Sequence, residues 1–467
     1  MYTLPKDTVI TNQILNDVIA YNEQFKRRYD MLERYYLGKH DVLERNKEDG
    51  LSNNKVVVNH AKYITDTNVG YLLGNPVDYQ ASEGLDIAAL LNAYKKQTIN
   101  DLDSEIAKDV SIFGLQYEYV YANENSEPKS CEVDNRNAVI VYDDTVEHNK
   151  LFGLIYREIK KGTKHDHWQI IYVDKQIKRE YKSYTKSLQQ VGTDEAHAFG
   201  DVPLICYKNN PEFIGDYETV ISLIDAYNQL QSDRINDKEQ LVNAILLFYG
   251  MDFDNEQAEE LKVSRMLANI PQDARAEYLT KTMQEGDVDI LRQSIETDIH
   301  KISMTPNMSD QNFVGNSSGV AIRYKLLAFE QNIKNKERYM EKGLMERFKL
   351  YNHFLFTQSK MAEIPIEEVD AVFKRNLPSN DFEISQMINN LADFVDKETL
   401  ISQLSFIKDA SEIVALKEKE DESKPKGSYD EAFAGNEVED ANNVDENSAT
   451  VETDIEDDIK NTNTLLS

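Results

Sequence analysis

The longest amphipathic pattern in the chain spans residues 320–360. Its apolar residues recur every three, four and, once, seven positions, which is typical of a helix with one buried face. They are Ile322, Leu326, Phe329, Ile333, Met340, Leu344, Phe348, Tyr351 and Leu355. At about 1.5 Å of rise per residue, such a helix is about 60 Å long and must pack against neighbours. We predict a bend at Gly343, because glycine destabilises a helix by about 1 kcal/mol relative to alanine.

Shorter helices are predicted in the first 113 residues. Ile14–Leu37 and His60–Leu73 have helical apolar spacing, and each is followed by a glycine that favours a left-handed cap. Ile87–Tyr94 and Asp103–Phe113 extend this helical layer.

From residue 115 the apolar period indicates strands. The predicted strands are Leu115–Tyr121, Ala138–Tyr142, Leu154–Lys160, Trp168–Val173, Gln176–Tyr181 and Pro203–Tyr207. Asp174-Lys175 suits a tight hairpin turn, and the polar residues 124–129 and 183–200 are predicted to be loops. Val369–Lys374 is a further strand that could join this antiparallel region. The predicted fold class is therefore α+β.

A helix, a short excursion and a second helix follow the strands. The helices are predicted at Tyr217–Tyr249 and Val288–Met304, and the excursion contains two strand candidates, Met266–Ile270 and Ala276–Leu279. Between residues 231 and 240 the first helix has only Ile235 as an apolar residue. We therefore expect solvent or polar helices beside this stretch, in an arrangement like a stalk that carries a small head.

The segment 305–319 differs from the charged sequence around it. Only Asp310 is charged, and glycines stand at 315 and 319, which indicates a loop before the long helix. A flexible connector is the ordinary alternative. A phosphate-binding loop is excluded, because no Gly-Lys-Ser/Thr follows.

The chain is acidic as a whole, with a formal net charge of −31 from 52 basic and 83 acidic side chains. Residues 427–467 contain twelve of the acidic residues against a single Lys460, and they are predicted to be disordered. Acidity alone keeps a protein soluble. It also repels a nucleic acid weakly over about 8 Å, and such repulsion would let DNA slide where a basic surface would hold it.

Composition argues for a soluble globular protein of two to four domains. The longest apolar stretch is far shorter than the roughly 20 residues that cross a bilayer, and no secretory leader opens the chain. Cys131 and Cys206 have no metal-ligand spacing and are expected to be reduced, although a disulfide between them is the alternative.

The sequence motifs that could indicate metal binding or catalysis are weak. His165-Asp166-His167 is expected to form an exposed turn rather than a metal site. Asp144 followed by Glu158 and Lys160 matches a loose pattern of metal-dependent nucleases, but strand alternation favours a surface ion pair between Glu158 and Lys160. The histidines form no catalytic constellation, so we expect no enzyme activity and no cofactor. The nine Lys or Arg in residues 320–360 are expected to pair with acidic neighbouring subunits, with DNA contact as the alternative.

Several short motifs resemble the portal proteins of tailed bacteriophages of siphophage type. They are Tyr35 to His40, Asn59 to Ile64, Tyr71-Leu-Leu-Gly-Asn-Pro-Val77, Asp216 to Asp233, and Gly315 to Gly319. The resemblance covers residues 10–420 and is most specific in the Gly-Asn-Pro-Val turn and the Asp216–Asp233 run.

The resemblance implies a ring, usually of twelve subunits, at one capsid vertex. It implies a wing (1–216), stem helices (217–249 and 288–304) around a clip (250–287), a tunnel loop (305–319), a long wing helix with a returning strand (320–382), a crown (383–426) and an acidic tail (427–467). Double-stranded DNA would pass the loop during packaging and ejection. The expected channel residues are Asn307, Met308, Ser309, Asp310, Gln311, Asn312, Phe313, Val314, Gly315 and Asn316.

The implied partners are the terminase large subunit, head-completion (adaptor) proteins, and the major capsid and scaffolding proteins, with no membrane. The implied location is the portal vertex of the virion, and the host cytoplasm during assembly. Two alternatives stay open, namely a metal-dependent nuclease built on Asp144, Glu158 and Lys160, and a helical oligomeric scaffold without a channel.

Overall fold

The structure, a computed structural model, describes residues 1–47, 52–184, 187–242, 245–249, 275–279, 285–308, 324–375, 381–392 and 394–401, with a few positions between 404 and 419. The predicted strand Met266–Ile270, residues 309–319 of the predicted loop and the tail 427–467 lie outside these ranges. The chain divides into two compact units, Met1–Pro378 and Ser379–Ser467.

The helices in the described ranges alternate with blocks of strands. They are α1 (Asn12–Glu23), α2 (Lys26–Tyr36), α3 (His60–Leu73), α4 (Ala88–Lys95), α5 (Ile99–Phe113), α6 (Ile221–Val242), α7 (Glu285–Ile302), α8 (Leu327–Thr357), α9 (Asp381–Leu391) and α10 (Lys397–Ile401). The strands are β1 (Tyr2–Leu4), β2 (Asp78–Ala81), β3 (Leu115–Ala122), β4 (Pro128–Val133), β5 (Ala138–Asp143), β6 (Lys150–Lys161), β7 (Lys164–Val173), β8 (Ile177–Ser183), β9 (Leu188–Ala196), β10 (Leu204–Lys208), β11 (Ile245–Tyr249), β12 (Arg275–Leu279) and β13 (Val369–Val372).

A six-stranded sheet in the order β1-β5-β6-β7-β8-β9 forms most of the β region. It is antiparallel except for the pairing of β1 with β5. The predicted strands and the turn at Asp174 are confirmed, since the backbone amide of Asp174 donates to the carbonyl of Ile177. The predicted loop at 183–200 is wrong, because it contains β9. This edge strand exposes every residue after Leu188, so its sequence has no apolar alternation.

The other sheets are smaller. Strands β10, β3 and β4 form a three-stranded sheet that shares a hydrophobic core with the six-stranded one. The predicted loop at 124–129 ends at Pro128, where β4 begins. Strand β13 pairs with β2 and not with the main antiparallel region. The mixture of helices and largely antiparallel sheets agrees with the α+β prediction.

The helices predicted near the N-terminus lie where they were expected, but the first of them is two helices rather than one. Helix α3 has the predicted limits, whereas Ile14–Leu37 is divided into α1 and α2 at Gln24 and Phe25. Thr11 caps α1 by accepting a hydrogen bond from the amide of Ile14. Gly38 adopts the left-handed conformation, with φ of 78°, but Gly74 is right-handed at −62°.

The helix predicted to end at Tyr249 ends at Val242. Residues Ile245–Tyr249 instead form β11, which pairs with Arg275–Leu279. A run of five apolar residues fits a buried strand as well as a helix, so its period could not decide between them. The excursion between the helices therefore begins with a strand that pairs antiparallel with β12.

Helix α8 carries the central core of the first unit. Its buried residues Met340, Leu344 and Phe348 pack with side chains from α4, α5, β2 and β10. At 31 residues it is about 45 Å long. In the described residues, no helix is both long and apolar enough to cross a membrane.

The second unit begins with α9 and α10. Helix α9 confirms the prediction at Glu383–Leu391, and α10 begins at the predicted Lys397. The described part of α10 ends at Ile401, and most residues that follow lie outside the described ranges.

Candidate functional site at the base of the predicted loop

Of the ten predicted channel residues, the structure describes Asn307 and Met308. The other eight, Ser309, Asp310, Gln311, Asn312, Phe313, Val314, Gly315 and Asn316, lie outside the described residues. The site that can be described is therefore the base of the loop, residues 303–308, where the chain leaves α7.

The loop base begins with a turn that closes α7. Met304 has a positive φ of 54°, which is uncommon for a residue with a side chain. The amide of Thr305 donates to the carbonyl of His300 at 3.2 Å, and Nδ1 of His300 donates to the carbonyl of Thr305 at 3.0 Å. This reciprocal pair holds the backbone in its turn. Thr305 is fully buried.

Helix α3 holds the next residues of the loop base. The Tyr63 hydroxyl donates to the carbonyl of Pro306 and accepts from the amide of Met308, both at 2.9 Å. Nδ2 of Asn307 donates to Oε1 of Glu296 at 3.1 Å. The side chain of Met308 is 44% exposed. The backbone is thus fixed up to Met308.

A buried polar network connects the loop base to α8. Nδ2 of Asn68, on α3, donates to Oγ1 of Thr305 at 3.0 Å, and its Oδ1 accepts from Nζ of Lys336 at 3.1 Å. Lys336 also forms an ion pair with Asp216, just before α6. Both charged side chains are less than a tenth exposed. Burial lowers the pKa of Lys336, and Asp216 opposes that shift.

Asp216 is the best-coordinated member of this network. Its Oδ1 accepts from Nδ2 of Asn209 at 2.7 Å, and its Oδ2 accepts from Oγ of Ser111 at 2.5 Å. Its amide donates to the carbonyl of Ser111. A buried charge is tolerated only when it is paired and hydrogen-bonded in this way. The network therefore connects the start of α6, the loop base, α3 and α8.

A histidine pair lies on the α7 side of the loop base. The rings of His60 and His300 have centroids 5.6 Å apart, and His60 also packs edge-on against Tyr227. Burial, followed by the nearby His300, lowers the pKa of His60 to about 4. Its Nε2 is buried without a hydrogen-bond partner in the described residues. His60 is therefore neutral at pH 7.

Arg347 forms a second buried ion cluster on α8. Its Nε donates to Glu118 at 2.7 Å and its Nη1 donates to Asp103 at 2.5 Å. The hydroxyl of Tyr207 donates to the other oxygen of Glu118 at 2.6 Å. The Arg347 and Glu118 side chains are fully buried. This cluster joins α8 to α5 and β3.

These buried cations correct part of the sequence prediction. Lys336 and Arg347 pair with acids of the same chain, and exposed Lys349 pairs with Asp201 at 3.1 Å. They were expected to pair with acidic neighbouring subunits. The sequence did contain a signal for this burial. Lys336 and Arg347 fall at helical spacing within the apolar stripe of α8, which is the face that packs into the core.

Gly343 lies where α8 crosses β10. A Cβ atom there would overlap three ring carbons of Tyr207, so glycine allows the helix to contact the strand. The helix is continuous through this position. Close packing thus explains the glycine without a bend, and the bend remains a prediction.

The polar middle of α6 is anchored in a way that its sequence did not predict. Asn228, Ser232 and Asn236 are spaced by four residues and are buried, while Ile235 is 44% exposed. Their side chains accept hydrogen bonds from every second backbone amide of residues 54–58. Oδ1 of Asn228 accepts from Val58, Oγ of Ser232 from Val56, and Oδ1 of Asn236 from Asn54, at 2.8, 3.0 and 2.6 Å.

The nuclease pattern does not assemble. Glu158 and Lys160 form an ion pair at 3.1 Å on β6, as strand alternation predicted, and Glu158 also contacts His165. Asp144 follows β5, whose end pairs with Lys150 at the far end of β6. Eight residues of strand, or about 25 Å, separate Lys150 from Glu158.

The expected His-Asp-His turn is also wrong. Residues 165–167 belong to β7, where His167 is buried and its Nδ1 lies 2.7 Å from Oδ2 of Asp166. Within the described residues, no three His, Cys, Asp or Glu side chains are placed to hold a metal ion. Cys131 and Cys206 are both free thiols, as expected.

Comparison with known proteins gives a consistent result. The sequence model of the family described as "Phage portal protein, SPP1 Gp6-like" matches residues 15–426. A portal protein of Bacillus phage SPP1 is 24% identical over 430 residues, which cover 83% of this chain and 82% of that protein. A portal protein of Clostridium phage phiCD119 is 20% identical over 423 residues, which cover 84% of this chain and 92% of that protein. Since the family model matches most of its length, this chain belongs to the SPP1 Gp6-like family of phage portal proteins.

Proposed function

We propose that copies of this chain close into a ring of twelve subunits at one vertex of a phage capsid. The ring is a channel for double-stranded DNA during packaging and ejection. The observation that carries this proposal is the family match over residues 15–426. The rigidly held loop base supports it, because a loop that meets moving DNA needs a fixed attachment.

The surface of α7 supports self-association. Ile290 and Leu291 are 67% and 51% exposed, whereas Ile299, on the side of the helix opposite Ile290, is fully buried. Adjacent exposed apolar side chains favour contact with another protein surface. A neighbouring copy in a ring would cover this face of α7.

A large cleft supports the same arrangement. Its volume is about 1040 Å³, and it lies between residues 209–219, the end of α7 and the middle of α8. Arg338 and Lys342 on α8 line it, as do Tyr339 and Met345. A mixed apolar and charged wall suits a partner in an assembly.

In this proposal the chain is a structural component and not an enzyme, and it requires no cofactor. Asn307 and Met308, with the residues that follow them to 316, contact DNA through amide and apolar groups without reading its sequence. The terminase large subunit docks on residues 250–287 and supplies the energy. Head-completion proteins later bind there, and capsid and scaffolding proteins surround the ring.

Electron microscopy of the purified protein tests the ring. The expected result is a closed ring with an axial opening wide enough for a duplex. A protein that stays monomeric under assembly conditions would contradict the proposal, and a closed particle without an opening would favour the scaffold without a channel.

A labelling experiment tests the direction of the loop. Met308→Cys with a gold cluster on the new thiol should place density near the ring axis. Val146→Cys, at a side chain that is 99% exposed in the wing, is the matched control and should place density at the periphery. Density from residue 308 on the outer rim would refute the tunnel-loop assignment.

A further inference from the structure

A cavity of about 290 Å³ lies within the first unit, away from the loop base. Helices α1 and α2, strands β1, β3, β5 and β10, and residues 212–218 surround it. Seven of the 17 residues in its walls are aromatic, with Phe25 and Phe213 among them. Met1 and Glu212 border it, and Met1 is 54% exposed, which leaves a route to solvent.

Three tyrosines in this wall have no hydrogen-bond partner for their hydroxyl groups in the described structure. They are Tyr29, Tyr117 and Tyr142, and the side chains of Tyr29 and Tyr117 are only 4% and 9% exposed. Tyr21, which also lines the cavity, differs because its hydroxyl accepts from the amino group of Met1 at 3.1 Å. None of these three hydroxyl oxygens is among the fully buried atoms that lack a partner, so each keeps accessible surface at which water or another polar atom can bind it.

The charged groups at the cavity wall balance in number, because Arg28 and the amino group of Met1 are cationic and Glu212 and Glu218 are anionic. Arg28 donates to both carboxylate oxygens of Glu218, at 2.7 and 2.5 Å, and also to the carbonyl of Phe213 at 2.7 Å. The guanidinium is therefore neutralised by Glu218. A charged ligand would lose its hydration and meet wall charges of both signs, which disfavours it. The cavity is suited to an uncharged molecule.

We propose that this cavity binds a small, uncharged aromatic molecule that carries one hydroxyl or similar hydrogen-bonding group. Aromatic walls favour a ring by edge-to-face contact. A cavity of about 150 Å³ accommodates benzene, so this volume suits two fused rings. The ligand's polar atom pairs with the tyrosine hydroxyls. Because Arg28 and Glu218 connect α2 to the residues just before α6, bound ligand also stabilises that junction.

The test uses 2-naphthol and naphthalene as probes of the full-length protein. Saturable binding of one 2-naphthol per chain, measured by its fluorescence, and a higher melting temperature are expected. Tyr117→Phe should weaken 2-naphthol binding about 3- to 10-fold, the effect of one hydrogen bond, and leave naphthalene binding unchanged. Tyr119→Phe makes the same change two residues away on β3, outside the cavity wall, and should leave both unchanged.

Cys206→Phe places a ring in the same cavity and should abolish binding of both probes, provided that circular dichroism shows a folded protein. The Tyr117→Phe comparison decides the question even if this variant does not fold. Absence of saturable 2-naphthol binding would overturn the proposal and indicate a water-filled cavity. Equal affinities of the Tyr117→Phe and Tyr119→Phe variants for 2-naphthol would also overturn the proposal.

Discussion

Tyr63 is the residue on which the loop base depends most directly. One hydroxyl group binds both the carbonyl of Pro306 and the amide of Met308. These two bonds fix the backbone at Met308, the second of the predicted channel residues and the last described position before residue 309. No feature of the sequence near residue 63 indicated this contact, because the partners are more than 240 positions apart.

Tyr63→Phe removes both bonds and keeps the ring. We expect the free energy of unfolding to fall by about 1–2 kcal/mol, and hydrogen exchange at the Met308 amide to accelerate. Exchange measured by mass spectrometry checks this. Tyr36→Phe removes an exposed hydroxyl that donates to Asp66 and should not change exchange at Met308. Unchanged exchange in Tyr63→Phe would show that other contacts fix the loop base.

Gly343→Ala separates two effects of opposite sign. Helix propensity alone predicts stabilisation of about 1 kcal/mol, whereas overlap with Tyr207 predicts a loss of about 1–3 kcal/mol. We expect the loss, measured by chemical denaturation. Gly286→Ala is the control, because that glycine on α7 has no neighbouring atom within 4 Å and its substitution should be neutral or stabilising. Stabilisation by Gly343→Ala would refute the packing explanation.

His60 makes stability depend on pH. Its pKa is about 4 in the folded protein and about 6.5 when unfolded, so the unfolded chain binds the extra proton first as the pH falls. The free energy of unfolding should therefore decrease as the pH falls from 6.5 to 4, by about 3 kcal/mol once His60 is protonated in both states. His300, Glu296 and His40 influence this group.

The comparison of His60→Phe with the native chain isolates this effect. The variant should lose less stability than the native chain between about pH 6.5 and 4, as measured by denaturant unfolding at each pH. His165→Phe, on an exposed part of β7, should follow the native profile. Parallel profiles for His60→Phe and the native chain would show that His60 is not the responsible group.

At the scale of elements, helix α6 is stabilised by an unusual polar face. Asn228, Ser232 and Asn236 accept from the backbone amides of Val58, Val56 and Asn54, respectively. Side chains here take the role that a neighbouring strand has in a sheet. The segment 54–58 can be extended without any strand partner because α6 accepts every second amide.

Ser232→Ala tests this face. It leaves the amide of Val56 without its partner, and we expect a loss of about 1–2 kcal/mol in unfolding free energy. Ile235→Ala, on the exposed side of the same helix, should change stability by less than about 0.5 kcal/mol. Equal effects of the two substitutions would mean that the polar contacts contribute nothing measurable.

The predictability of an element followed the strength of its periodic pattern. Helix α3 was predicted with its observed limits, because its apolar residues and following turn agree. Strand β9 was missed, because an exposed edge strand needs no apolar alternation. Ile245–Tyr249 was assigned to a helix, because five consecutive apolar residues carry no period. At the site, most of the predicted loop lies outside the described residues and stays a prediction. The contacts of Tyr63, Asn68 and Lys336 depend on tertiary structure and could not be predicted.

At the scale of the whole molecule, the net charge of −31 opposes association between copies. If the chain forms a ring, its copies must approach despite this repulsion. Apolar surface such as that of Ile290 and Leu291 would have to supply the attraction.

Assembly should therefore increase with salt concentration. Raising the salt from about 50 to about 300 mM shortens the screening length to below 8 Å and weakens repulsion more than apolar contact. Sedimentation velocity should show a larger oligomeric fraction at high salt. Ile290→Asp should reduce that fraction at both concentrations, whereas Val146→Asp, at an exposed position between β5 and β6, should not. Dissociation at high salt would point instead to ion pairs between subunits.

The two bonds made by Tyr63 also determine how the loop base yields to force. Each is 2.9 Å long, and a hydrogen bond is largely lost by about 3.5 Å. A displacement of little more than half an ångström at Pro306 and Met308 would therefore break both together, since they share one oxygen atom. The contacts of Thr305 with His300 and Asn68 do not involve Tyr63, so they would still hold the start of the loop base after that loss.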